Sequence, residues 1–136
     1  MAGYSSTPLW KKLGYKTGMS VYLDGGPKNY RSLLALPNEI RINWVPQPKS
    51  HIELAHLFAT SAKDLKPKLK FYRTKIVPDG MIWVSWPKKS SGVKTDISED
   101  TIRDIALPMG LVDVKVCAVD EVWSGLKLVL RKEKRT

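Results

Sequence analysis

The residues best suited to chemistry by type and spacing are Trp86-Pro87-Lys88-Lys89-Ser90-Ser91. Two ammonium groups, two hydroxyls and an aromatic ring in one short stretch suit a phosphate or a nucleobase. A second candidate is Asp24-Gly25-Gly26-Pro27-Lys28, a turn from strand to helix where free backbone N–H groups can hold an anion. A third is the basic cluster Lys63, Lys66, Lys68, Lys70, Arg73 and Lys75, which could track a phosphate backbone. Each has a plainer reading: a solvated connecting loop, a tight turn needing glycine for geometry, and a solvated helix face.

Catalytic patterns are missing from the sequence. His56 lies inside an apolar run and reads as a satisfied core histidine, and His51 falls in a loop. With the single Cys117 they give no metal-ligand spacing. Cys117 itself reads as inert core in a strand. Ser124 lacks the glycine two positions earlier that a nucleophile elbow needs. Asp120 and Glu121 are adjacent, so on a strand they point to opposite faces and form no carboxylate pair.

The scaffold that must position these groups is read as one α/β domain over residues 1–136, a length that buries a self-sufficient core. No apolar run approaches the ~20 residues of a membrane span. The first residues lack the basic and then apolar pattern of a signal peptide. One cysteine excludes an internal disulfide. The expectation is a cytoplasmic protein without a membrane anchor. The formal net charge is +10, from 23 basic and 13 acidic side chains. Such a field attracts nucleic acid, phosphorylated metabolites or acidic proteins.

Along the chain, residues 1–18 form a helical lead-in. Thr7-Pro8 signals a helix start, with Thr7 capping and Gly14 just past the end near Leu13. Residues 19–23 read as a strand and 28–36 as a helix. Residues 40–45 alternate apolar and polar, as a half-buried strand does, and 52–59 read as a buried strand. Ser61 with Asp64 resembles a capping box. Leu65, Leu69, Tyr72 and Ile76 then fall on one helical stripe, with a 3₁₀ start or kink at Pro67. Pro78-Asp79-Gly80 reads as a turn, residues 81–86 as a strand covered on both faces, and Pro87 as its end. Ser98 caps a helix whose first turn carries Glu99 and Asp100, with Ile97 and Ile102 at staple positions. Residues 112–119 and 126–130 form a hairpin, and 131–136 a charged, frayed tail. Alternating strands and helices imply a three-layer Rossmann-like, mostly parallel sheet with a C-terminal antiparallel hairpin.

That order resembles a class I methyltransferase with its middle shortened. Residues 19–24 are similar to its first strand, 52–59 to the fourth, 81–86 to the fifth, and 112–119 with 126–130 to the closing pair. Pro78-Asp79-Gly80 stands where those enzymes often carry Pro-Gly-Gly. The chain also resembles a family of small bacterial proteins of unknown function. That likeness covers Tyr4-Ser5, Lys11-Lys12-Leu13-Gly14, the stretch from Pro78 to Lys89, Ala106-Leu107-Pro108, Gly110 to Glu121 and Trp123 to Lys127. It implies a bacterial origin and no activity.

The residues depart from the methyltransferase pattern where S-adenosylmethionine would bind. The loop after the first strand is only Asp24-Gly25-Gly26-Pro27, without a third glycine at the required spacing. Val45-Pro46 stands where a ribose-binding acid belongs. Ser85-Trp86-Pro87 is similar to the Asn-Pro-Pro-Tyr motif of amino-methyltransferases but follows the wrong strand. No cofactor is therefore expected. The reading is a non-catalytic binding or regulatory module for an anionic partner. The alternatives are a divergent S-adenosylmethionine-dependent methyltransferase-like enzyme and a nucleic-acid-binding protein.

Overall fold

The computed structural model describes residues 7–135. Tyr4-Ser5, part of the bacterial-family likeness, lies outside them. In chain order the elements are α1 Leu9–Leu13, β1 Ser20–Asp24, α2 Tyr30–Leu34, β2 Asn43–Trp44, β3 Ile52–Phe58, α3 Ala62–Arg73, β4 Ile76–Pro87, α4 Glu99–Ala106, β5 Leu111–Ala118 and β6 Trp123–Leu130. The sheet order is β2-β1-β3-β4-β6-β5. β2, β1, β3 and β4 run parallel, whereas β6 is antiparallel to both β4 and β5. This is the expected mostly parallel α/β sheet with a closing hairpin.

Strand alternation sorts the core into two layers. On one face Ala55 and Leu57 of β3, with Ile82, Val84 and Trp86 of β4, meet Leu65, Leu69 and Tyr72 of α3 and Ile102 and Ala106 of α4. On the other, Leu54 and Phe58 of β3 and Trp83 of β4 meet Leu9 and Leu13 of α1 and Tyr30 and Leu34 of α2. Val21, Leu54, Leu57, Ile82, Trp83 and Val84 are fully buried. At roughly 1.5–3 kcal/mol per fully buried large apolar side chain, this double-sided burial is what the apolar runs contribute. The Trp83 indole N–H donates to the Leu13 carbonyl at 2.8 Å and ties α1 to the centre of the sheet.

Helix ends follow their local signals. The Ser61 hydroxyl accepts from Asp64 N, and Ser98 and Thr101 form a reciprocal capping box. Ile97 and Ile102 are both buried beside it, as a hydrophobic staple requires. Arg103 pairs with Glu99 and Asp100 on its own helix and with Asp113 Oδ2 of β5 at 2.9 Å, which fixes α4 against the hairpin.

Several local readings are corrected. Pro8, not Thr7, holds the N-cap position of α1, with no side-chain cap bond. The second helix shrinks to Tyr30–Leu34. The strand read over 40–45 shrinks to Asn43–Trp44, because Arg41 spends its backbone groups on Thr17 Oγ1 and Gly18 N. α3 runs as one α-helix through Pro67, with no 3₁₀ start. Pro67 lies early in the helix, where its missing N–H removes one bond, the one to the Lys63 carbonyl. Ile76 belongs to β4, not to the α3 stripe. The tail is not simply frayed: residues 132–134 make a 3₁₀ turn, and Arg135 Nε donates to the Leu130 carbonyl at 2.8 Å.

Pro78-Asp79-Gly80 is a bulge inside β4 rather than a turn before it. Ile52 pairs with Ile76 and Leu54 with Met81, so β4 spends five residue steps where β3 spends two. The surplus is absorbed where Gly80 closes onto backbone: a Cβ there would lie 3.0 Å from the Val77 carbonyl oxygen and 3.2 Å from those of Glu53 and Ile52. None of those neighbours is a flexible side-chain end that can move aside. Gly80→Ala is therefore expected to destabilise the fold by about 1–3 kcal/mol, as overpacking does. Urea unfolding should show a lower midpoint at an unchanged slope; an unshifted midpoint would contradict the close approach.

Candidate functional site

The C-terminal ends of β1, β3 and β4 form one edge of the sheet, where open α/β folds place ligands. The turn joining β5 to β6 lies at the same edge, because Pro87 pairs with Trp123. Both predicted loops reach this edge. β3 runs between β1 and β4, so the two loops flank the end of β3 rather than touching through one ladder.

At the β1 end, the Asp24 carboxylate turns to α3. Its Oδ1 takes the Lys68 ammonium at 3.1 Å and its Oδ2 the Tyr72 hydroxyl at 2.7 Å, both from α3. Burial first, and then the Asp24 carboxylate, hold the Tyr72 phenol above its usual range, so it stays a donor. Gly25 has φ +77°, and a Cβ on it would stand 3.2 Å from the Phe58 carbonyl oxygen at the end of β3. Gly26 packs against Leu23, whose Cδ atoms would lie 2.8 Å from an added Cβ. Lys28 is exposed.

At the β4 end, Trp86 is not the loop aromatic that its position before Pro87 implied. It is in the strand and only 8% exposed, packed in the layer that holds Ile97. Period-2 alternation continues through Trp86 because pairing with β6 extends as far as Pro87. Lys88 is anchored as well: its N–H donates to the Val122 carbonyl and its ammonium to the Asp120 carbonyl at 2.7 Å. The Ser91 hydroxyl donates to the Lys88 carbonyl at 2.6 Å and accepts from Val93 N. Lys89 and Ser90 remain exposed in the short 3₁₀ turn. Of the residues in the two candidate loops, then, Lys28, Lys89 and Ser90 are presented to solvent, whereas Trp86, Lys88, Ser91, Asp24, Gly25 and Gly26 serve the fold.

Behind this edge runs a buried polar relay. The Tyr15 and Tyr30 hydroxyls are joined at 2.7 Å, Tyr30 meets His56 Nδ1 at 2.7 Å, and His56 Nε2 meets the Ser85 hydroxyl at 2.7 Å. Gly125, the Ser85 partner on β6, leaves room for it: a Cβ there would lie 3.4 Å from Ser85 Oγ and 3.2 Å from the Trp83 ring. His56 and Ser85 are both fully buried. Phe58 stacks on the imidazole at 4.4 Å and is itself covered edge-on by Trp123 at 5.0 Å. Burial drives the His56 pKa down to about 3, so the ring is neutral. A serine at 2.7 Å from a neutral histidine has the local geometry of an activated nucleophile, but both side chains are fully buried. The sequence placed His56 in the core. It missed Tyr15, Tyr30 and Ser85 because these partners meet through strand register and helix docking, which alternation alone does not show.

Two other features complete the picture. A cavity of about 430 Å³ lies between α2 and the β5–β6 turn, lined by Asn29, Leu33, Val119, Asp120, Glu121 and Val122. Asp120 Oδ1 is spent on Val122 N and Trp123 N. Burial raises the Cys117 thiol above its usual value, the opposite of what a nucleophile needs. Among the described residues no group of three or more His, Cys, Asp or Glu is placed to hold a metal ion. No helix among them is long and apolar enough to cross a membrane.

No protein-family model and no curated protein sequence matches the chain. Its fold is nonetheless that of the class I methyltransferases. A S-adenosylmethionine-dependent methyltransferase from Aquifex aeolicus superposes with a TM-score of 0.58 at 15% identity, covering 87% of this chain and 85% of that one. Magnesium protoporphyrin IX methyltransferase from Synechocystis superposes with a TM-score of 0.60 at 9% identity, covering 90% and 74%. LepI in complex with S-adenosylmethionine gives a TM-score of 0.57 at 14% identity; there the match covers 92% of this chain but only 47% of LepI. At these identities the likeness is one of fold. The residues at the strand ends do not fit S-adenosylmethionine: the acid after β1 is taken by α3, Gly25 closes on the Phe58 carbonyl oxygen, and Trp44-Val45 ends β2 without a carboxylate.

The relay predicts two measurable effects. Ser85→Ala leaves His56 Nε2 buried without a partner, at a cost of about 1–3 kcal/mol in urea unfolding. Separately, the folded His56 pKa of about 3 lies below the ordinary value of 6.5. Between those values the unfolded chain binds a proton that the folded chain excludes. This contribution to stability is complete above pH ~6.5 and falls as pH drops toward 3, by on the order of 1 kcal/mol per pH unit. His56→Gln should flatten that part of the stability–pH curve; an unchanged curve would mean that His56 takes up its proton in the fold as readily as in the unfolded chain.

Proposed function

We propose that the chain is a non-catalytic binding or regulatory module, built on a methyltransferase-like scaffold, that recognises an anionic partner. The observation that carries the non-catalytic part is the closed β1 turn. The carboxylate after β1 is neutralised by Lys68 and capped by Tyr72. The His56–Ser85 pair, which has catalytic spacing, is sealed beneath Phe58 and Trp123.

The anionic part is supported by the charge of +10 and by its placement. Lys28 and Lys89 stand exposed on the loops at the ligand-bearing edge, and neither has a carboxylate partner among the described residues. They suit a partner with spaced acidic groups, engaged largely by charge and therefore sensitive to salt. The methyltransferase alternative is favoured by the fold-level likeness alone, and fold does not imply function.

Calorimetry with S-adenosylmethionine and with its demethylated product at millimolar concentration should give no saturable heat. A saturable heat would reinstate the methyltransferase reading. For the anionic partner the probe is heparin. Lys28→Ala with Lys89→Ala should elute from a heparin column at clearly lower salt than the parent chain. The charge-matched pair Lys16→Ala with Lys49→Ala, at the opposite end of the strands, should shift elution less. Equal shifts for the two pairs would remove the strand-end loops from the account. A short single-stranded oligonucleotide in a gel-shift assay at low salt tests nucleic acid as the anion.

A further inference from the structure

The basic cluster on α3 divides in the structure, and one part of it borders a cavity. Lys68 turns to Asp24, and the Lys75 ammonium lies 5.1 Å from the Phe71 ring centre. Lys66, Lys70 and Arg73 instead line a cavity of about 520 Å³ between α3 and α4. This volume is within the ordinary range for small-molecule sites, roughly 300–1,000 Å³. The positions 66, 70 and 73 follow i, i+4, i+7 spacing and so share one helical stripe. The opposite wall is apolar: Ile105 of α4 with Pro108 and Met109 of the 3₁₀ turn that follows it.

Three properties of this groove point to a ligand rather than to a solvated face. First, none of the three cations has a carboxylate within ion-pair distance among the described residues. Like charges at i, i+4 cost a helix a few tenths of a kcal/mol per pair, so α3 carries a repulsion that a bound anion would relieve. Second, Arg73 is held in place: its Nε donates to the Met109 carbonyl, which fixes the guanidinium at one end of the cavity. Third, the charge balance is specific. Three cations against one acid, Asp104, leave a surplus of two positive charges in the lining. A phosphate monoester carries about −1.5 to −2 at pH 7.

We infer that the groove between α3 and α4 binds a small organic phosphate, its phosphate on Lys66, Lys70 and Arg73 and its apolar body on Ile105, Pro108 and Met109. Asp104 repels a second anionic group and accepts a hydrogen bond from a hydroxyl or amino group on the ligand body. This site lies on the face of the sheet covered by α3 and α4, shares no residue with the strand-end loops, and stands whether or not those loops bind a partner.

The test is a heteronuclear NMR titration of the full chain with three probes: adenosine 5′-monophosphate, octyl phosphate and inorganic phosphate. The expected result is saturable shifts of the amides of residues 66–73 and 104–109 with at least one of the two organic phosphates. Inorganic phosphate, which has no body to bury, should bind at least tenfold more weakly. Adenosine monophosphate and octyl phosphate separate a nucleotide from a lipid-like source. Lys66→Gln with Lys70→Gln should weaken the organic phosphate tenfold or more while leaving the thermal midpoint unchanged or slightly raised, since both side chains are exposed. Parent-like affinity in this variant would overturn the inference. So would equal affinity for inorganic and organic phosphate, or no saturable shift with either organic probe.

Discussion

A histidine that must stay uncharged sets the terms for this structure. His56 sits on β3 with both ring nitrogens bonded and no exposure, between Tyr30 of α2 and Ser85 of β4. An unpaired polar group there would cost ~1–3 kcal/mol, so the elements that supply partners are held in place together. Tyr15 extends the relay to the segment after α1. One chain of hydrogen bonds thus ties the segment after α1, α2, β3 and β4 together. It also fills the space beneath the edge where open α/β sheets place ligands. The five-residue α2 can lie flat on the sheet because Tyr30 anchors it through its hydroxyl as well as its ring.

The same economy appears at the end of β1. In an open methyltransferase-like sheet the acid and glycines after this strand would be available to a ligand. Here Asp24 is the point at which α3 is locked to the sheet, through Lys68 and Tyr72, and Tyr72 stacks on Tyr22 at 5.8 Å. Salt bridges as exposed as Lys68–Asp24 contribute little on their own. The Tyr72 hydroxyl bond, made at the buried end of the helix stripe, is the stronger half of the lock. With one carboxylate oxygen on the Lys68 ammonium and the other on the Tyr72 hydroxyl, Asp24 performs a structural task.

The element order was legible because it depends on local signals. Apolar runs of strand length, Ser61 and Ser98 as caps, and Pro87 as a stop each act within a few residues. What failed depended on partners distant in sequence. Pro78-Asp79-Gly80 carries every mark of a turn, yet β3 on one side keeps the chain in the sheet and turns the surplus residues into a bulge. Trp86 next to Pro87 looked like the start of a loop, but pairing with β6 carried the strand past it and buried the ring. Only one member of the relay was visible: the apolar run put His56 in the core, while nothing local says that Ser85 faces it across the β3–β4 ladder. Of the candidate site residues, the sequence placed both loops at the C-terminal ends of strands but could not say which cations the fold would use up.

That last distinction is what gives the charge of this protein its meaning. Many of the acids are committed to structure: Asp24 to α3, Glu53 to the Ser20 N–H, Asp96 to the N-terminus of α3, Asp113 to Arg103, and Asp120 to the hairpin turn. These bonds are short-range, and they hold acids on backbone donors and on the few cations they reach. The remaining cations lose the carboxylates that would otherwise pair with them. Lys28 and Lys89 are left at the strand ends, and Lys66 and Lys70 are left on α3. A net charge of +10 spread evenly would be only a solubility device. Beside a cavity, unpaired cations set up a local field. At the α3–α4 groove that field faces an apolar wall, the combination that separates a small-ligand site from a merely basic surface.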